Sequence, residues 1–124
     1  MLLTVEQAGA GPAITAWLGK QPIGCAGVVL VWPGVGMAWM AVSDAMAEHG
    51  LWLTRIARAF LRDVIRSHHL HRLEAVALDE STRNQQWLLV LGFTDEGGLA
   101  RCYLPDKRAV RRYELVEGMD TWPM

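Results

Sequence analysis

Short apolar runs separated by glycine and proline open the chain. Leu2–Glu6, Ala13–Leu18, Ile23–Trp32 and Met37–Val42 are bounded by Gly9-Ala10-Gly11-Pro12, Gly19-Lys20-Gln21-Pro22 and Pro33-Gly34-Val35-Gly36. This spacing predicts four strands joined by short turns as an antiparallel meander. The uncharged stretch from Ile23 to Met40 does not read as a membrane span, because Pro33-Gly34 in its middle would free backbone groups that lipid cannot satisfy. Gly24, Cys25, Ala26 and Gly27 are all small, which predicts close packing against the third strand.

The pattern changes after Val42. Leu53, Ile56, Ala57, Phe60, Leu61, Val64 and Ile65 recur at helical spacing, with Arg55, Arg58, Arg62, Asp63 and Arg66 on the other face. This is an amphipathic helix of about four turns, ending near Ser67 to Leu70. Arg72–Leu78 reads as a strand that is apolar on both faces apart from Glu74, so a central place in the sheet is expected. Asp79-Glu80-Ser81 offers N-caps for a second helix over Thr82–Leu91, with Gly92 as its left-handed stop and Phe93 as the apolar partner. Phe93–Leu104 reads as a strand with a bulge at Gly97-Gly98, Pro105–Arg108 as a turn, and Ala109–Val116 as the last strand. The strand–helix–strand unit from Met37 to Leu78 is a crossover that makes its two strands parallel neighbours. The fold class is therefore α+β: a mixed, mostly antiparallel sheet with helices on its faces.

Length and charge narrow the function. The chain has 124 residues, read as one domain over 1–116 and a C-terminal tail over 117–124 without periodicity. Twelve Lys and Arg against thirteen Asp and Glu give a net charge of −1. That argues against a nucleic-acid binder working by charge. Two cysteines far apart suit a reducing compartment, and Met1–Gln7 carries no secretory leader pattern. A cytoplasmic or virion location is expected, with neither secretion nor membrane association.

Few residues invite catalysis on their own. His68 and His69 are adjacent at a helix end and point apart, so with His71 they do not read as a metal site; no metal is expected. Cys25 sits among apolar neighbours and reads as a buried, inert thiol, and Cys102 likewise. Most of the six tryptophans are expected in the core. Trp32, beside the Pro33-Gly34 turn, and Trp122, in the tail, are the candidate contacts with another chain. Arg101, Lys107, Arg108, Arg111 and Arg112 read as a solvated edge that discourages strand pairing.

The stretch from Met37 to Val116 resembles the GNAT superfamily of N-acetyltransferases. Its most specific piece is Ser81 to Gly97, a short helix ending in Leu91-Gly92-Phe93 followed by a strand with Glu96-Gly97. Arg101-Cys102-Tyr103 and Arg112-Tyr113-Glu114-Leu115 resemble the final hairpin of that fold. The resemblance implies that acetyl-CoA lies where the fourth strand splays from the fifth, its pyrophosphate on amides that open the long helix. It implies cofactor contacts at Met40, Val42, Gly50, Leu51, Trp52, Leu53 and Asn84, and Asp44 as the nearest candidate base.

The departures from that family decide the expected function. In the phosphate-binding stretch, Ala47-Glu48-His49-Gly50-Leu51-Trp52, only Gly50 matches, Trp52 replaces a small residue, and Glu48 adds a negative charge. The loop therefore reads as degenerate, which argues against acetyl-CoA binding. Leu88 stands where the family places its acid tyrosine. The two helices that build the acceptor wall are missing between the first two strands. The abbreviated form resembles small phage-encoded proteins of this fold. The expectation is a non-catalytic virion or assembly protein whose partners are phage structural proteins or copies of itself. The alternative is a minimal acetyl-CoA-dependent N-acetyltransferase acting on an amine.

Overall fold

A computed structural model describes residues 2–8, 11–43 and 48–116. The elements run β1 Leu2–Ala8, β2 Gly11–Leu18, β3 Gln21–Trp32, β4 Val35–Val42, α1 Gly50–Ser67, β5 Arg72–Leu78, α2 Thr82–Leu91, β6 Thr94–Ala100 and β7 Val110–Leu115. All seven strands join one sheet in the order β1-β2-β3-β4-β5-β7-β6. Only β4 and β5 are parallel; every other pair is antiparallel. The element order and the central place of β5 are as the sequence predicts.

Several boundaries differ. Gly11 and Pro12 belong to β2, because the ladder continues to the pairs Gln7↔Pro12 and Ala8↔Gly11. α1 starts at Gly50, three residues before Leu53, the first residue of the predicted apolar stripe. β6 ends at Ala100, so Cys102 lies in a turn, exposed and with a positive φ, rather than in a strand. The bulge at Gly97-Gly98 is present as a register shift between Asp95 and Leu99. α2 is capped as expected: the Ser81 hydroxyl accepts from the Asn84 amide, and Gly92 is left-handed with φ 110°. The Gly92 and Phe93 amides then donate to Leu89 and Leu88, closing orphan carbonyls of the last turn.

The two helices share one face of the sheet. Phe60, Leu61 and Val64 of α1 and Leu88 and Leu91 of α2 form one core with Leu73, Ala75 and Ala77 of β5. Crossovers from β4 to β5 and from β5 to β6 both advance the same way along the sheet, which puts both helices on the same side. Of the sheet's two faces, the helices thus cover one. Arg58, read as solvent-facing, donates to the Val90 carbonyl at the end of α2, where a cation complements the helix dipole.

The opposite face is open and carries charge. Arg72 Nε lies 2.8 Å from Glu74, and its other nitrogens reach Glu96 at 3.1 Å and Glu114. Trp39 lies flat over Gly27, where a Cβ would stand 2.7 Å from the indole. No described tryptophan is fully buried: Trp17, Trp52 and Trp87 are half-buried, and Trp32 and Trp39 are exposed. Trp39 lies on the open face, where no described helix covers it, whereas Trp52 and Trp87 of the helices line a cavity on the other face. Among the described residues, no helix is long and apolar enough to cross a membrane.

Candidate functional site

β4 and β5 are joined by only three register positions, Val35↔Arg72, Gly36↔Leu73 and Met37↔Glu74. Beyond them each strand follows its other neighbour. β4 stays with β3 as far as Gly24↔Val42, and β5 stays with β7 as far as Leu78↔Val110. The backbones of Ala38–Val42 and Ala75–Leu78 therefore face a gap instead of each other. Unpaired strand amides and carbonyls along that gap are available to a ligand.

Two connected cavities occupy it. The inner one, about 160 Å³, runs between α1, the helix-side face of the sheet, and the two parted strands. The outer one, about 480 Å³, is its mouth, lined by Met40, Val42 and Ser43 of β4's end, Gly50, Leu53 and Thr54 of α1's start, and the α2 face around Arg83 and Asn84. Met40, Val42, Leu53, Asn84 and Trp87 line both. The mouth is braced by a short relay: Trp87 Nε1 donates to Thr54 Oγ1 at 3.0 Å, and Thr54 Oγ1 donates to the Gly50 carbonyl at 2.8 Å.

The mouth favours an anion. His49 provides no side-chain cap to α1, and no acidic residue stands in the first turn. The first-turn amides and the positive end of the helix dipole thus open toward the mouth. Arg83 adds a cation from α2. The inner cavity has the opposite character. Among the described residues, no side chain of Asp, Glu, His, Lys, Arg or Tyr lines it; its polar side chains are Asn84, Cys25 and the indoles of Trp39, Trp52 and Trp87.

The predicted site residues sort clearly. Met40, Val42, Gly50, Trp52, Leu53 and Asn84 all line one or both cavities. Leu51 is 70% exposed and lines neither. Trp52 corrects the reading of an obstructed phosphate loop. Its side chain packs against Ala16 and Ile23 and walls the inner cavity, and it is absent from the mouth. A first-turn residue on the apolar side of α1 turns toward the sheet, so the indole lies away from the mouth. Glu48 is exposed and lines neither cavity.

Other expectations shift as well. Leu88, at the tyrosine position, is buried beside the cavity. Tyr113 lies in the core, its phenol raised above the usual value by burial and by the charge of Asp95. Cys25 is half-buried and lines the cavity rather than being sealed in the core. Trp32 is 65% exposed. Asp44 and Trp122 lie outside the described residues. The basic hairpin is largely paired internally: Arg108 with Asp106 and Glu80, Arg111 with Asp79, and Arg112 with Glu96. Arg83 was missed. Its signal was a cation in the first turn of a helix, where the dipole alone disfavours it.

No protein-family model and no curated protein matches the sequence. Solved structures do match the fold. A spermidine N-acetyltransferase mutant from Vibrio cholerae aligns with a TM-score of 0.75 at 13% identity, over 90% of this chain and 69% of the other. A ribosomal-protein-S5-alanine acetyltransferase from Vibrio fischeri gives a TM-score of 0.76 at 16% identity, over 93% and 65%. A GNAT-family acetyltransferase from Bacillus anthracis gives a TM-score of 0.71 at 14% identity, over 87% and 66%. The chain thus spans about two thirds of the length of these proteins. It has the GNAT acetyltransferase fold.

Proposed function

We propose, from that fold as premise, that the chain binds an acyl-coenzyme A in the β4–β5 gap and transfers its acyl group to an amine. One observation carries the reading: the parted strands open at the uncapped N-terminus of α1.

The residues present fit such a substrate. The amides of Gly50 to Leu53 and the Arg83 guanidinium suit the diphosphate. The free edge of β4 from Ala38 to Val42 suits the amide-bearing pantetheine arm, which would hydrogen-bond like an added strand. A β4 amide donating to the thioester carbonyl would stabilise the charge that develops there. The amine nitrogen attacks the carbonyl carbon; the C–N bond forms, the C–S bond breaks, and CoA leaves as a thiolate. The proton shed by the amine ends on that sulfur through solvent. Among the described residues, no side chain of Asp, Glu, His, Lys, Arg or Tyr lines the inner cavity, so its walls position the reactants. Asp44, the residue after Ser43 in the sequence, is the candidate side-chain base. The enzymatic alternative is favoured over the non-catalytic assembly role, because the supposed obstacle, Trp52, does not line the mouth.

Isothermal titration with CoA and acetyl-CoA tests this. Micromolar binding is expected. Gly50→Asp places a carboxylate at the helix start, in open space. It is expected to weaken CoA binding on the order of tenfold or more while leaving the melting temperature unchanged or higher. Absence of CoA binding at millimolar concentration sinks the proposal. Unaltered binding by Gly50→Asp removes the phosphate assignment.

A further inference from the structure

The inner cavity reaches beyond the gap. It extends away from the parted strands, under α1, as far as Ile14 on β2 and Leu3 on β1. Its floor is made of short side chains on the helix-side face: Ala16 of β2, Gly24 and Ala26 of β3, and Ala38 of β4. Above them α1 contributes Ala57, one turn before Phe60. The small residues at Gly24–Gly27 were expected to mark close packing. Gly27 does so, under Trp39 on the other face. Gly24 and Ala26 instead leave room.

The volume is informative. A cavity of about 160 Å³ with apolar walls matches the size at which an engineered protein cavity of roughly 150 Å³ stays dry and takes up benzene, a six-carbon guest. The pantetheine arm would take the part of this space along Ala38–Val42, and an acetyl group of two carbons would leave the part under α1, lined by Leu3, Ile14, Ala16 and Ala57, empty. Empty apolar volume costs packing contacts, and a chain that fills it regains them. The walls offer no charged group to tether anything else, and the cavity is continuous with the gap through Met40, Leu53 and Asn84.

We infer that the site is built for an acyl-CoA whose acyl group is a medium-length or aromatic apolar chain, with about six carbons, lodged under α1 between Ala57 and the alanine–glycine floor. This inference rests on the acyl-CoA reading and deepens it. The transfer step is unchanged: the carbonyl carbon lies at the gap, the C–S bond breaks and the C–N bond forms, while the rest of the chain stays under the helix.

Isothermal titration of the intact protein with CoA, acetyl-CoA and hexanoyl-CoA tests it. Each methylene buried favours binding by about fourfold. After losses from ordering the chain, hexanoyl-CoA is expected to bind on the order of thirtyfold tighter than acetyl-CoA. Ala57→Leu fills the cavity and is expected to erase that gain while CoA itself binds within about twofold of wild type. Ala16→Val narrows the floor from the other side and is expected to do the same, should Ala57→Leu fail to fold. If CoA and acetyl-CoA bind and hexanoyl-CoA binds no tighter, the inference is overturned and the acyl-CoA reading stands. If the hexanoyl gain survives in a folded Ala57→Leu or Ala16→Val protein, the chain lies elsewhere and the inference also falls. If none of the three binds, both fall together.

Discussion

The sheet consists of two ladders that meet at three residue pairs, and they are built differently. The first, β1 to β4, carries the short side chains Ala16, Gly24, Ala26 and Ala38 on its helix side and leaves Ile14 half-buried beside an open cavity. The second, β5, β7 and β6, buries Leu73, Tyr113 and Leu115 almost completely under both helices. Its open face is knitted by Arg72, which holds one carboxylate from each of its three strands: Glu74, Glu96 and Glu114. The second ladder is where large apolar area leaves water, so it should supply most of the stability. The first gives up packing, and the space it leaves is the site. A gap between the two ladders costs little when one of them does not depend on filling it.

The largest effect should come from cutting the second ladder. Leu73 is 1% exposed, and Leu73→Ala is expected to cost about 3–4 kcal/mol. Ile14→Ala, on the first ladder, removes a half-buried chain already beside a cavity and should cost only about 1 kcal/mol. Urea unfolding midpoints compare the two at constant slope. Equal losses would mean that the two ladders share the core evenly, and the contrast drawn above would be wrong.

A middling effect is expected at Arg72. The guanidinium is held strongly protonated by its bonds to Glu74 and then Glu114. Arg72→Met keeps much of the stem and leaves three carboxylates together with only Arg112 near Glu96. Partial exposure of these groups moderates the cost, so about 1–2 kcal/mol is expected. The loss should shrink as salt is raised, since the added term is like-charge repulsion. A loss independent of salt would reassign Arg72 to packing.

Much of this arrangement was legible in the sequence. Periodicity marked every element, and Gly92-Phe93 and Ser81 marked both ends of α2, because caps and turns depend on nearby residues. The splay between β4 and β5 was legible only through resemblance: it arises from each strand following a different neighbour, which no local pattern records. Trp52 was misjudged for the same reason. Its bulk was visible, but the direction of its side chain depends on where the stripe of α1 meets β2. The open face was also hidden. A missing layer leaves no trace in the strands that would have carried it, except that Trp39 and the Arg72 cluster end up half in water.

The smallest expected effect is a matter of pH. Tyr113 sits in the second ladder, and its phenol is raised above its usual value, first by burial and then by the charge of Asp95. In the unfolded chain the same group ionises near pH 10. A raised value in the folded state means that the folded protein holds the proton more tightly. The resulting stability is complete below pH 10 and is lost as pH rises through the raised value. Tyr113→Phe cannot ionise, so it lacks this loss. The two proteins should melt at similar temperatures near pH 8 and diverge above pH 10, with wild type falling faster. Every other titratable group is common to both proteins, so the difference between the melting curves isolates Tyr113. Parallel curves up to pH 11 would place the phenol in contact with water. The second ladder would then be less tightly closed than Leu73 and Leu115 make it.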